Sequence, residues 1–262
     1  MAESSLRPDE SVETLGSGVE LIISPEHSFG TDALLLADFA SPKRRDLCID
    51  LGTGCGILPL LFYRNGVRND IYGLDIQERA VDQFTRSCER SRADNVKPLL
   101  GDLKDFTVEG PNGLKRAVPL GMFQVVTMNP PYKMAGRGIL SKEASDQTAR
   151  HETSCTLNDV CAAAAKLLNF GGRFCLCNRP ERLADAMEAC RAYGLEPKRL
   201  RMVQKNAGSR PWLFLLEGRL GGKPFLDVLP PLLIQDESGQ ESDELLRILG
   251  EYREPENQEE TT

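Results

Sequence analysis

This sequence has little with which to build metal or disulfide chemistry. Two histidines among 262 residues cannot supply much metal ligation. Its eight cysteines (Cys48, Cys55, Cys88, Cys155, Cys161, Cys175, Cys177 and Cys190) are scattered, with no CxxC pair, and several fall on apolar strand or helix faces. Reduced core thiols and no metal site are expected. Cys175-Leu-Cys177 alternates as a strand does and is assigned to packing. No apolar run approaches the length of a membrane span, and Met1-Ala-Glu-Ser-Ser5 has neither the basic start nor the apolar stretch of a signal peptide. A cytoplasmic protein with no membrane partner is expected. No GxGxxG follows a strand and no GxxxxGK[ST] occurs, which disfavours nicotinamide and nucleoside-triphosphate binding. Strong positive charge is missing too. The net charge is −7, and residues 236–262 alone carry ten acids against two arginines. The remaining body is close to neutral, unlike an independent nucleic-acid binder, so a protein substrate stays open.

What is present is a series of strand-end motifs. Asn129-Pro130-Pro131-Tyr132 follows the apolar run Met122–Met128, where a parallel strand of an open α/β sheet would meet a ligand. Asn129 can accept one N–H through its side-chain oxygen. Pro131 biases Pro130 toward extended backbone, so the Pro130 carbonyl can serve as a second acceptor. Tyr132 offers a flat face for stacking a base. Two acceptors and a platform suit a reaction at an –NH2 on a planar group; the bland alternative is a proline turn. Asp50-Leu-Gly52-Thr53-Gly54-Cys-Gly56 follows Leu47-Cys-Ile49, with glycines at alternate positions that allow close approach of backbone to ligand. Asp75 ends a second strand pattern, Ile71–Asp75, where an acid can accept both hydroxyls of a ribose. Asp102 ends a third, where an acid can bind an adenine amino group. Each carboxylate alone fits a helix N-cap as well.

These motifs in this order resemble class I S-adenosylmethionine-dependent methyltransferases of the amino-methylating branch, over most of residues 15–235. Three more segments are similar to the bacterial tRNA1(Val) adenine-N6 methyltransferase family: Phe29-Gly-Thr31-Asp32 with the apolar run after it, Arg150-His151-Glu152, and Gly221-Gly-Lys-Pro with Leu229-Pro-Pro. The resemblance implies an α/β Rossmann-like fold, a seven-stranded mostly parallel sheet with helices on both faces. It implies S-adenosylmethionine as cofactor and tRNA as partner. Asp50, Gly52, Thr53, Gly54 and Gly56 would hold the methionine half. Asp75 and Ile76 would hold the ribose, and Asp102 and Leu103 the adenine. Phe29, Thr31 and Asp32 would close over cofactor or target. Asn129, Pro130, Pro131 and Tyr132 would form the catalytic loop. Tyr132, Arg137, Arg150, His151, Lys205 and Arg210 would meet substrate, although His151 also fits a structural turn and the basic run from Lys198 to Arg210 a solvated face. Two rivals remain. A glutamine-N5 methyltransferase acting on a release factor shares the glycine loop and the Asn-Pro-Pro-Tyr stretch, but normally has a helical domain before the sheet. A non-catalytic cofactor-binding adaptor would not need these motifs.

Three regions are expected: an extension with a hairpin over 1–28, a methyltransferase domain over 29–235, and a flexible acidic tail over 236–262. The hairpin lies within 13–24 and turns at Gly16 and Gly18. A helix capped by Thr31 runs to Ala40. Strands 47–50, 70–75, 96–101 and 122–128 follow, with helices at 56–65 and 77–92. Residues 104–120 read as loop, and 133–150 as a substrate lid. Next come a helix over 158–168, a strand over 173–177, a helix from Pro180 to Tyr193, and strands near 198–204 and 212–218, which the resemblance implies form the antiparallel hairpin that closes the family's sheet. A short helix over 242–250 lies in the tail, and a monomer is expected.

Overall fold

The chain enters its fold through a hairpin, β1 (Ser11–Gly16) and β2 (Val19–Ile23). Its turn places Gly16, Ser17 and Gly18 at positive φ, a conformation that glycine adopts without Cβ strain. The computed structural model describes residues 6–109, 115–130, 155–250 and 252. α1 (Thr31–Ala40) follows; Gly30, not Thr31, holds the N-cap position, and no side chain caps this end. Then come β3 (Cys48–Leu51), α2 (Ile57–Arg64), β4 (Ile71–Asp75), α3 (Glu78–Arg90) and β5 (Val96–Gly101). Pro59 is tolerated in α2 because it lies in the first turn, where backbone N–H groups have no intrahelical acceptor.

Residues 104–120 depart from the loop expectation: β6 (Thr107–Glu109) and β7 (Lys115–Ala117) pair and extend the sheet edge. Strands of three residues carry too little pattern to register in a sequence. β8 (Phe123–Met128) leads to the Asn129 loop. α4 (Leu157–Leu167) starts at a capping box, in which Thr156 accepts from the Asp159 N–H and the Asp159 carboxylate accepts from the Thr156 N–H. β9 (Leu168–Asn178) begins directly where that helix ends. Residues between Leu168 and Arg173 bulge out of register against β8, and Gly171 sits at positive φ. A 3-10 turn at Pro180–Arg182 precedes α5 (Leu183–Ala192), so Pro180 opens a tighter turn and not the α-helix itself. β10 (Leu195–Gln204), β11 (Leu213–Leu220), β12 (Asp227–Val228), β13 (Leu232–Leu233) and α6 (Asp243–Leu249) complete the order.

The strands run β12-β10-β11-β9-β8-β3-β4-β5-β6-β7, with β13 also on β10. The seven expected strands form the centre, β10-β11-β9-β8-β3-β4-β5, and short strands lengthen both edges. β9, β8, β3, β4 and β5 are parallel, whereas β11 is antiparallel to both neighbours. Every residue of β3 is buried, as a central strand covered on both faces requires. One core layer holds α1, α2 and the inward face of α3; the other holds α4 and α5. In α3 the buried residues Ala80, Gln83, Phe84, Ser87 and Cys88 fall on one helical stripe. Ser87 Oγ accepts the Ile22 N–H at 2.8 Å and Ser91 Oγ accepts the Glu20 N–H at 2.9 Å. The helix thereby satisfies a strand edge that no further strand covers.

Within the region expected to be a flexible acidic tail, the short helix expected over 242–250 forms as α6 (Asp243–Leu249). Ser242 caps α6, and Leu245, Ile248, Leu249 and Tyr252 are buried. Arg247 forks onto the Asp38 carboxylate (2.8 and 3.1 Å) and Arg201 onto Glu244 (2.8 Å twice).

Candidate active site

β3 and β8 are neighbours in register, Leu51 opposite Met128. The glycine loop and Asn129 therefore leave the sheet side by side at its carboxyl end, where ligands bind such sheets. Three glycines of the loop sit at positive φ: Gly52 (62°), Gly54 (55°) and Gly56 (87°). They are not equivalent. A Cβ on Gly56 would overlap the Phe84 ring, so this glycine lets α3 close on the loop. A Cβ on Gly54 would enter open space, and one on Gly52 would meet only the Met128 methyl at 3.6 Å. These two face the cleft.

Two carboxylates support the loop. Asp75 accepts the Gly54 N–H at 2.7 Å and the Gln77 N–H at 2.9 Å. Oδ1 accepts the Gln77 side-chain amide as well, at 3.5 Å, whereas Oδ2 accepts only the Gly54 N–H and keeps a lone-pair position for a ligand hydroxyl. Asp50 is 2% exposed and accepts the Thr127 hydroxyl at 2.7 Å. Burial, with the Asp75 charge adding to it, pushes its carboxyl up to about 7 against the pull of the Thr127 hydrogen bond. The Thr53 hydroxyl lies beside Asp50 but closes no hydrogen bond of ordinary geometry, a buried polar atom left without a partner. Ile76, just past Asp75, is 58% exposed, an apolar surface in a position to cover a ligand. Asp102 is half-buried; its Oδ1 accepts the Lys104 N–H at 2.9 Å, so it shapes its own turn as well as lining the strand end. Leu103 packs on the core.

The second half of the site is assembled from distant segments. Asp32, in the first turn of α1, accepts the Ala33 N–H at 3.0 Å, and the Asn129 side chain is near enough to hold its carboxyl down. Burial raises its carboxyl, with these contacts and the Arg179 charge opposing. Cys177, at the end of β9, donates its thiol to Asn129 Oδ1 at 3.2 Å. Cys177 is fully buried in the core, as its assignment to packing implies, and its sulfur also reaches the Asn129 side chain. Pro130 follows Asn129 and is half-buried. Phe29 stacks at a tilt on Tyr252, centroids 5.5 Å apart, while Thr31 is half-buried at the start of α1.

Lys205 and Arg210 lie in the exposed loop joining β10 to β11, at the same sheet end as Asn129. The rest of their basic run is committed elsewhere. Arg199 pairs with buried Glu217 at 2.8 Å and lies over the Phe39 ring, Arg201 pairs with Glu244, and Lys198 donates to the Lys223 carbonyl. Sequence reasoning missed Arg179 and Trp212. The Arg179 guanidinium lies 5.8 Å from the Trp212 ring centroid and donates to its carbonyl at 3.1 Å. A lone tryptophan beside Pro211 and an arginine directly after a strand were the available signals. Pro131, Tyr132, Arg137, Arg150 and His151, with the proposed lid over 133–150, lie outside the described residues. Among the described residues no group of three or more His, Cys, Asp or Glu side chains could hold a metal ion, and no helix is long and apolar enough to cross a membrane.

No family model matches the chain. Curated relatives do. A tRNA1(Val) (adenine(37)-N6)-methyltransferase of Porphyromonas gingivalis is 26% identical over 234 residues, 84% of this chain and 86% of its own length. One from Tolumonas auensis is 24% identical over 225 residues, 85% of this chain and 88% of its own. This chain is a distant homologue of these enzymes. Solved structures agree on the fold. A predicted O-methyltransferase of Agrobacterium tumefaciens superposes with a TM-score of 0.63 at 20% identity, covering 83% of this chain and 94% of that one. TYW2 of M. jannaschii, solved with AdoMet, gives 0.54 at 10% identity, covering 82% and 87%. By fold this chain is similar to S-adenosylmethionine-dependent methyltransferases, and it aligns over most of its length with the curated relatives named above. The loop leaves room for such a cofactor: a Cβ on Gly54 would enter open space, one on Gly52 would meet only the Met128 methyl, and the Thr53 hydroxyl is buried with no hydrogen-bond partner.

Proposed function

We propose that this methyltransferase modifies the N6 amino group of an adenine in tRNA, of the tRNA1(Val) type and beside the anticodon. The observation that carries the reading is Asn129, held at the end of β8 next to the glycine loop of β3. S-adenosylmethionine supplies an activated methyl on a sulfonium, so the protein's task is positioning and electrostatics. Asp50 and the Gly52–Gly56 loop hold the methionine half, Asp75 and Ile76 the ribose, and Asp102 and Leu103 the adenine. An aromatic amine is a weak nucleophile because its lone pair is delocalised into the ring. Asn129 Oδ1 and the Pro130 carbonyl accept its two N–H groups, which favours a pyramidal nitrogen and stabilises the positive charge that develops there.

The target base must leave its stack to reach this loop, and Tyr132 gives it a face. Lys205 and Arg210 are placed to meet phosphates, with the Arg179–Trp212 pair between them and Asn129. The curated relatives over most of the chain carry this activity in their names, which supports the substrate choice. The test is methyl transfer from labelled S-adenosylmethionine to unmodified bulk tRNA, with a release factor in parallel and Asn129→Ala as control. Label that digests to N6-methyladenosine, absent in the variant, is expected. Label in the protein alone would transfer the chain to the glutamine-N5 class.

A further inference from the structure

The segment between the hairpin and α1 crosses the mouth of the site. β2 runs back along α3: the Glu20 N–H meets Ser91, the Ile22 N–H meets Ser87, Ser24 Oγ donates to Gln83 at 3.4 Å, and Glu26 pairs with Arg79 at 3.3 Å. Every two residues of extended chain thus climb one helical turn, toward the start of α3. That start lies just past Asp75, at the carboxyl end of β4. α1 lies over β9 and β11, and the Ala40 carbonyl at its far end accepts Arg173 at 2.8 Å, near the start of the β9 pairing with β8. The helix therefore runs back along β9, and its first turn lies at the carboxyl end of the sheet. Residues 27–30 pass from the β4 side to the β9 side. Between those strands stand β3 and β8, which carry the glycine loop and Asn129.

What holds this crossing comes from the other end of the chain. Phe29 is half-buried, and its ring centroid lies 5.5 Å from that of Tyr252, which is 4% exposed. Tyr252 is anchored in turn. Its N–H donates to the Leu249 carbonyl at 3.1 Å, and Arg64 of α2 reaches the same carbonyl at 3.5 Å. Ser242 Oγ donates to the Leu233 carbonyl at 2.6 Å, while Arg247 and Arg201 tie α6 to α1 and β10. We propose that Tyr252 is a positioning residue for S-adenosylmethionine: by packing on Phe29 it fixes residues 27–30 as a wall over the glycine loop, so that docking of α6 and binding of the cofactor are coupled. This rests on the reading of the glycine loop as the cofactor's cradle and is independent of the acceptor.

The test is binding of S-adenosylhomocysteine, the cofactor without its methyl, to the full chain by calorimetry with no acceptor present. Tyr252→Ala should bind it about tenfold more weakly, the scale of one lost aromatic pair. Tyr252→Phe keeps the ring and should stay within about twofold of the parent. Leu195→Val trims the other core layer at the opposite end of the sheet, and should lower the melting temperature while leaving affinity within about twofold. Coupling is reciprocal, so S-adenosylhomocysteine should slow amide exchange over residues 243–252 in the parent, and do so less in Tyr252→Ala. Parent affinity in Tyr252→Ala, an equal loss in Tyr252→Phe or Leu195→Val, or exchange that the ligand leaves unchanged would overturn the assignment. A parent that binds no S-adenosylhomocysteine would remove the cradle reading and this one with it. Parent affinity in Tyr252→Ala with full methylation of tRNA would remove this one alone.

Discussion

The two halves of the site are built from different material. The glycine-loop half is mostly backbone: Thr53 N–H to the Leu74 carbonyl at 3.1 Å, Gly56 N–H to the Thr53 carbonyl at 3.0 Å, and Gly54 N–H to Asp75. Its chemistry sits in one short stretch and the strand beside it. The Asn129 half is mostly side chain. Asp32, Asn129, Cys177, Arg179 and Trp212 come from α1, the ends of β8 and β9 and the β10–β11 loop, and come together only because the sheet gathers them. The first half should therefore be sensitive to an added Cβ, and the second to a polar substitution that barely changes shape.

Asn129→Ala should break the second half alone. Turnover falls roughly 10²–10³-fold, the cost of one lost electrostatic acceptor, with cofactor affinity unchanged by calorimetry. Gly56→Ala should break the first half through packing. The new Cβ overlaps Phe84 at a positive φ, and strain plus overpacking costs roughly 2–4 kcal/mol, read as a lower melting temperature. Gly54→Ala meets no neighbour, so only the conformational penalty of about 1–2 kcal/mol applies.

Asp50 sharpens the comparison through pH. Its folded carboxyl, at about 7, lies above the ordinary value near 3.8, so the native state holds a proton that the unfolded chain releases. Stability from this group is fully present below about 4 and is lost as pH rises through 7, by roughly 4 kcal/mol at full ionisation. Asp50→Asn removes that charge, at the cost of burying an amide with an unmatched donor, about 1–3 kcal/mol. The melting advantage of the variant over its parent should thus be larger at pH 8 than at pH 5.5, by roughly 2 kcal/mol. A gain of the same size at both values would show that Asp50 does not titrate in this range. The smallest effect belongs outside both halves. Arg247→Ala removes a largely exposed pair with Asp38 and should cost under about 1 kcal/mol in denaturant melts, with turnover unchanged.

The readable parts of this protein were those whose physics is local. The alternate glycines, the acids at Asp50 and Asp75, and the apolar runs before them each announce a strand turning into a loop. The hairpin over β1 and β2 was legible from its glycines, whereas the antiparallel pairing of β10 and β11 was implied only by the family resemblance. β6 and β7 were not, because three residues carry no period. The basic run from Lys198 to Arg210 looked uniform in sequence; the fold divides it, since Arg199 and Arg201 face Glu217 and Glu244 while Lys205 and Arg210 sit in an exposed loop. The short helix near 242–250 was legible, but its docking was not: Leu245, Ile248, Leu249 and Tyr252 bury themselves on the core beside α1.

By itself, then, the sequence determined the α/β alternation and the cofactor-facing loop, because backbone conformation and burial act over a few neighbouring residues. Only the tertiary structure decided what meets Asn129. The Cys177 thiol reaches its Oδ1 from the end of β9, and a hydrogen bond between side chains far apart in sequence leaves no periodic trace in it.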